Sequence, residues 1–180
     1  MLLWLTLALL WSPTCWAAQI YGRGGGTYFS TSPDPENEIT GIRVSFSIFG
    51  QLMSIQVRYG SSWSETCGHR GVNDQEFILR PGEHIIGVYG SYKLFIRQLF
   101  VYTYQGRWAT FGKGDGTIFS AFPDQAEQVL RGLFGHTGLL GISDIGFEWG
   151  EPPSDLITTH SGVTLLQENE HPRVPRMGRW

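Results

Sequence analysis

Cysteine is scarce. Of the two in 180 residues, Cys15 sits in an apolar leader, and only Cys67 remains in the body of the chain. A disulfide framework is therefore excluded, and the fold has to rest on its core. Cys67 keeps two readings, a free thiol or a pairing between chains. Charge is sparse as well, at 16% of residues with a formal net charge of -3. No basic footprint is present for phosphate, so nucleic acid is not an expected partner. A hydrophobic share of 41% excludes a disordered charged polymer. Asn37, Asn73 and Asn169 all fail the Asn-x-Ser/Thr pattern, so no N-glycosylation is expected.

Catalytic signatures are missing in the same way. None of His69, His84, His136, His160 and His171 stands in an H-x-H or H-E-x-x-H spacing, so no metal centre is expected. There is no G-x-S-x-G elbow. Cys67 and His69 lie two residues apart but lack an orienting third group. Asp74 and Glu76 stand in a polar stretch, where exposure is the default for carboxylates. No catalytic residue, cofactor or metal ligand is assigned, and an enzyme is not expected. Long apolar runs are limited to Leu2–Leu10, shorter than the ~20 residues that cross a bilayer. Ser12-Pro13 ends that run, and Cys15-Trp16-Ala17 supplies small residues at the cleavage positions. The segment 1–17 reads as a secretory signal peptide, which makes the product secreted and extracellular, without membrane insertion.

Glycine and alternation are what the chain has instead. Its 24 glycines punctuate segments of period two. In Ile55-Gln-Val-Arg-Tyr59 the side chains of Ile55, Val57 and Tyr59 fall on one face, and Gln56 and Arg58 on the other. Ile39–Phe46, Phe77–Leu79, His84–Tyr89, Leu94–Tyr104, Arg107–Phe111, Val129–Phe134 and Ile142–Trp149 continue the series. Arg80-Pro-Gly-Glu83 and Gln105-Gly106 read as turns between them. No segment sustains a helical period. Short strands at roughly 8–12-residue spacing mean a sandwich, barrel or prism. From Glu151 onward the pattern stops, so the domain is expected over 18–150 and a tail over 151–180.

Two glycine-rich segments could meet a ligand. Gly24-Gly25-Gly26 lies between Tyr21 and Phe29, and three absent side chains let a backbone take positive φ and approach another molecule closely. Near the end of the domain, Gly138-Leu-Leu-Gly-Ile-Ser-Asp-Ile-Gly-Phe-Glu-Trp149 runs from a glycine-flanked turn into a strand. Backbone donors together with the Asp144 acceptor suit hydroxyl groups, which donate and accept at once.

The order of these motifs carries a resemblance. Tyr21-Gly-Arg-Gly-Gly-Gly-Thr-Tyr-Phe-Ser30, Ile39-Thr-Gly-Ile-Arg-Val44, Val57-Arg-Tyr-Gly60, Leu79-Arg-Pro-Gly-Glu83, Gly90-Ser-Tyr-Lys93, Phe111-Gly-Lys113 and Asp144-Ile-Gly-Phe-Glu-Trp149 follow in one sequence. Over about residues 19–149 the chain resembles the animal jacalin-related lectins, nearest to the zymogen granule protein 16 group. The resemblance implies an all-β β-prism of three Greek-key sheets with about four strands each. It also implies a shallow sugar site without metal, built from Gly24, Gly25 and Gly26 and from the stretch Gly138, Leu139 to Asp144. A flanking loop would contribute Tyr92 for stacking and Lys93 for an anionic group. The chain departs from the family pattern at one place. Ser143 stands where the family has its sugar-binding aspartate, in a loop one residue longer. A one-residue shift reverses side-chain direction along a strand, so Asp144 is expected to turn from the sugar and leave Ser143 as a neutral partner. Losing a charge-assisted hydrogen bond costs about 1.5–3 kcal/mol. Implied partners are glycans of mucins, glycoproteins or microbial surfaces, with sulfated polysaccharide as a further candidate, and implied storage is a secretory granule before release. The rival reading is a secreted protein-interaction or signalling ligand on a prism that has lost its sugar site.

Overall fold

The computed structural model describes residues 19–153. The signal peptide expected over 1–17 lies outside the described residues, as does the expected tail except for positions 151–153. All regular structure in the described residues is strand, and it forms three antiparallel sheets.

The first sheet joins the beginning of the domain to its end. It contains β1 (Ile20–Gly22), β2 (Thr27–Ser30), β12 (Val129–Gly138) and β13 (Gly141–Gly150), in the order β1-β13-β12-β2. The second contains β8 (Ile85–Tyr92), β9 (Ile96–Thr103), β10 (Trp108–Gly112) and β11 (Thr117–Ala121), in the order β10-β9-β8-β11. The third contains β3 (Ile39–Phe46), β4 (Leu52–Tyr59), β5 (Ser62–Trp63) and β7 (Asn73–Ile78), in the order β5-β4-β3-β7, with β6 (Cys67–Gly68) also pairing with β4. This is the expected β-prism.

Alternation builds the core. Ile55, Val57 and Tyr59 are buried while Gln56 and Arg58 are only half-buried, so the period of two read in β4 is the period of its packing. Val44, Leu52, Val88, Ile96, Val101, Leu133, Ile142 and Ile145 converge from all three sheets and are almost wholly shielded. Both predicted turns form. Gly82 takes φ 67 and Gly106 takes φ 78, the left-handed values that glycine adopts without penalty. Cys67 is a buried free thiol in β6. Burial, with the nearby Glu65, pushes its pKa up, the opposite of what a nucleophilic thiol needs.

The three central hairpins, β3–β4, β8–β9 and β12–β13, turn at one end of the prism. A Cβ placed on Gly141 would lie 2.9 Å from the Leu52 carbonyl oxygen and 3.4 Å from the Phe95 ring, so the three turns touch there.

At the opposite end a buried carboxylate ties two sheets together. Glu83 accepts from the Arg80 N–H at 2.8 Å, from the Thr103 hydroxyl at 2.7 Å and from the Arg107 guanidinium. Arg107 also lies over the Phe77 ring of β7, 4.7 Å from its centroid. Burial alone would raise the Glu83 carboxyl. The three hydrogen bonds and the Arg107 charge outweigh it and hold the group below the usual glutamate range. A lowered folded-state pKa contributes stability above the unfolded value of about 4.3, and that stability fades as pH falls through the folded value. Arg107→Ala should therefore destabilise by about 3 kcal/mol, the low end for breaking a buried pair because Arg107 is partly in water. Denaturant melts should show that loss at neutral pH, and the midpoint of acid unfolding should move to higher pH.

Candidate functional site

The glycine loop owes its position to the first sheet. β1 pairs with β13 on one side of the β12–β13 hairpin, Gly22 opposite Asp144. β2 pairs with β12 on the other side, Thr27 opposite Thr137 and Tyr28 opposite His136. Residues Arg23–Gly26 must bridge the three inter-strand spacings between them, about 14 Å. Five Cα steps reach at most about 18 Å, so the loop is drawn across the hairpin with little slack. Close approach follows. A Cβ on Gly26, at φ 112, would stand 2.4 Å from the Thr137 carbonyl oxygen, where no side chain fits. Gly24 and Gly25 also take positive φ, 77 and 89, but a Cβ on Gly25 would meet nothing within 4 Å. The middle of the loop therefore faces open space.

The hairpin beneath is pinned to this loop. The Arg23 N–H donates to the Ser143 carbonyl at 3.0 Å. The Ser143 hydroxyl donates to the Gly25 carbonyl at 2.6 Å, with the His136 carbonyl 3.1 Å away. Among the described residues, the N–H groups of Gly24, Gly25 and Gly26 have no hydrogen-bond partner. These unpaired donors are what the loop can offer a ligand.

The β12–β13 ladder carries a β-bulge at this point. His136 pairs with Asp144 and Thr137 with Ile142, which leaves Ser143 as the unpaired residue of β13. Regular alternation, on which the expected reversal of side chains rested, is interrupted there. Ser143 is 5% exposed and Asp144 2%. The Asp144 carboxylate accepts from the His136 N–H at 2.6 Å. Both of its oxygens lie 3.0 Å from the His136 Nδ1. A carboxylate in that place accepts from Nδ1–H and fixes the orientation of the ring. Asp144 thus orients the partly exposed His136 rather than meeting solvent itself.

The other residues read from the sequence fall at the same end in different circumstances. Gly138 closes the β12–β13 hairpin opposite Gly141, and Leu139 at its tip is 79% exposed. Tyr92 packs its ring toward Phe119, 6.3 Å between centroids, and is only partly exposed. Lys93 is engaged by Asp115, 2.6 Å from Nζ to Oδ2. Asp115 also pairs with Arg97 at 2.8 Å. Hydrogen bonds from Arg97 and Lys93 hold its carboxyl below the usual range.

Two residues of the site escape a linear reading. His136 was a histidine without metal spacing, and its link to Asp144 is a cross-strand pair visible only with the register. Tyr28 is 60% exposed and sets its ring edge-on to His136, 5.7 Å between centroids. Its place directly after the glycine loop was the available signal. The remaining carboxylates singled out in the sequence serve the sheet surface. Glu76 pairs with Arg43 at 2.7 Å, and Asp74 accepts from the Ser45 hydroxyl at 2.5 Å.

Residues 18–148 match the Jacalin-like lectin domain. The chain belongs to the jacalin-like lectin family. It is 41% identical over 135 residues to the zymogen granule membrane protein 16 of Homo sapiens, covering 74% of this chain and 80% of that one. It is 37% identical over 150 residues to the prostatic spermine-binding protein of Mus musculus, covering 83% of this chain and 75% of the other. Among solved structures it is similar to a prostate-specific WGA16 glycoprotein lectin, with a TM-score of 0.69 and 51% identity, over 75% of this chain and 98% of that one. Membership of this family supports carbohydrate binding and points to a non-enzymatic protein.

The geometry separates two glycines that look alike in sequence. Gly25→Ala should cost about 1–2 kcal/mol through positive φ alone. Gly26→Ala should cost more, because its Cβ also collides with the Thr137 carbonyl. Urea melts of the two variants should rank them in that order, and equal losses would contradict the close approach at Gly26.

Proposed function

We propose that this jacalin-like lectin is a secreted, non-enzymatic protein that recognises glycans without metal at the glycine-loop end of the prism. The observation that carries this reading is the set of unpaired N–H groups of Gly24–Gly26, held in place by the Ser143 hydroxyl beside the buried Asp144 and its partly exposed partner His136. Glycine amides supply donors, the His136 ring offers a polar edge, and the exposed Tyr28 ring offers a face to the apolar side of a pyranose. Leu139 and Gly138 border the same opening. Tyr92 and Lys93 belong to its flank, where Lys93 would have to leave Asp115 to meet a sulfate. The names of the relatives, from zymogen granule and prostate, support storage in a secretory granule and release. Mucins, glycoproteins and microbial surfaces are the proposed carriers of the glycan.

A glycan array with the secreted chain tests this, in the presence and absence of a chelator and at two salt concentrations. Binding should survive the chelator. Gly25→Val should abolish it, and Tyr28→Ala, a change at an exposed position, should weaken it about tenfold, or 1.4 kcal/mol. Binding confined to sulfated ligands and fading with salt would move the contact to Lys93 and Arg23. No binding to any glycan would favour the rival, a protein ligand on a prism whose sugar site is closed by its own Ser143 and Asp144.

A further inference from the structure

The three hairpin tips that meet at the glycine-loop end carry large apolar side chains into solvent. Ile48 and Phe49 stand on the β3–β4 turn, Leu94 on the β8–β9 turn, Leu139 and Leu140 on the β12–β13 turn, and Val72 just before β7; their exposures run from 62% to 79%. The tips are neighbours. Arg97 at the start of β9 donates to the Phe49 carbonyl, and Gly141 touches both Leu52 and Phe95. Their shape is not loose. In the β3–β4 turn, the Gly50 N–H donates to the Ser47 carbonyl and the Ser47 N–H to the Gln51 carbonyl, each at 2.9 Å. In the β8–β9 turn, the Lys93 N–H donates to the Phe95 carbonyl at 3.0 Å. Apolar groups are thus held outward on rigid turns, although water penalises every one of them.

Charge decides what covers them. The same end carries Arg23, Arg70, Lys93, Arg97 and Lys113 against Asp74, Asp115 and the buried Asp144, so it is positive on a chain whose net charge is -3. Lys113 lines one cleft with Ile48, Phe49 and Arg97. Among the described residues, Arg23 and Lys113 make no ion pair. The opposite end holds Asp34, Glu36, Glu38, Asp124 and Glu127 in the loops before β3 and β12, with Glu83, against Arg80 and Arg107. A second copy seated symmetrically on this end would set the cations against their own copies. An anionic bilayer satisfies both features, taking the tips into its interface and the basic collar against its headgroups.

We propose that the glycine-loop end docks on anionic phospholipid membranes, with the hairpin tips entering the interface and no segment crossing it. This surface adjoins the proposed sugar site and shares Leu139, Lys93 and Arg23 with it, while Ile48, Phe49, Leu94 and Lys113 lie outside that site. The test is sedimentation of the whole secreted chain with vesicles free of glycolipid, either pure phosphatidylcholine or an equal mixture with phosphatidylserine. The chain should sediment with the mixed vesicles, less with the neutral ones, and less as salt rises. Ile48→Ser/Phe49→Ser/Leu94→Ser should weaken that partition by about tenfold and leave glycan binding unchanged. Lys113→Glu, at an exposed position, should weaken it for the mixed vesicles alone. No sedimentation with either vesicle would overturn the proposal, as would partition unaffected by both variants. Self-association that the triple variant abolishes, without vesicle binding, would assign the tips to a second copy instead. If glycan binding fails while vesicle binding holds, only the sugar reading falls.

Discussion

The pairing of β1 with β13 is the interaction on which the site end of this molecule depends. Ile20, Tyr21 and Gly22 lie opposite Gly146, Ile145 and Asp144, so the start of the domain is hydrogen-bonded to its last strand. That pairing places β1 on one flank of the β12–β13 hairpin while β2 occupies the other. The glycine loop then has no course except across the hairpin. Its short length, its positive φ values and its contact with Thr137 all follow from this one topological demand. Tyr21 completes the closure by stacking on Phe119 of the second sheet, 4.6 Å between centroids, which fastens the first sheet to its neighbour.

The bulge at Ser143 shows how a strand accommodates an extra residue without exposing the core residues that follow it. A plain insertion would turn every following side chain to the wrong face. Here the shift near the turn leaves Ser143 unpaired, a second shift at Arg131 lies toward the other end of the ladder, and Ile145 and Phe147 are still buried. The released serine is used. Its hydroxyl reaches the Gly25 carbonyl, while the adjacent carboxylate turns to His136. The charge at the proposed site is therefore spent inside the protein, orienting an imidazole, and the groups left for a ligand are amides, an imidazole edge and an aromatic face. Such a surface would suit hydroxyl patterns better than net charge.

Most of the fold was legible because a two-sided sheet writes its burial into a period of two. Ile55, Val57 and Tyr59 alternate in the sequence as they do in the packing, and Pro81-Gly82 and Gln105-Gly106 mark their turns by chemistry alone. The glycine loop was also visible, since three consecutive glycines demand a backbone reason. His136 was not visible as a site residue, because its meaning lies in a partner eight residues away across a hairpin whose register contains a bulge. The partner to which Asp144 turns was hidden for the same cause. Regular alternation is the rule by which side-chain direction is read, and the bulge suspends it at the position that matters. The apolar tips were equally hidden. Ile48, Leu94 and Leu139 are scattered over three turns, and only the prism brings them together.

Because β1 finds its partner more than a hundred residues later in the chain, the order of synthesis becomes part of the design. Strands β3 to β11 can pair with near neighbours as they emerge, but the glycine loop has nothing to lie across until β12 and β13 have been made. Closing so long a loop is slow and comes after the local hairpins. A ribosome-bound or prematurely ended chain therefore holds much of the prism and none of the recognition end. The proposed binding end therefore takes shape last, once β13 has been made.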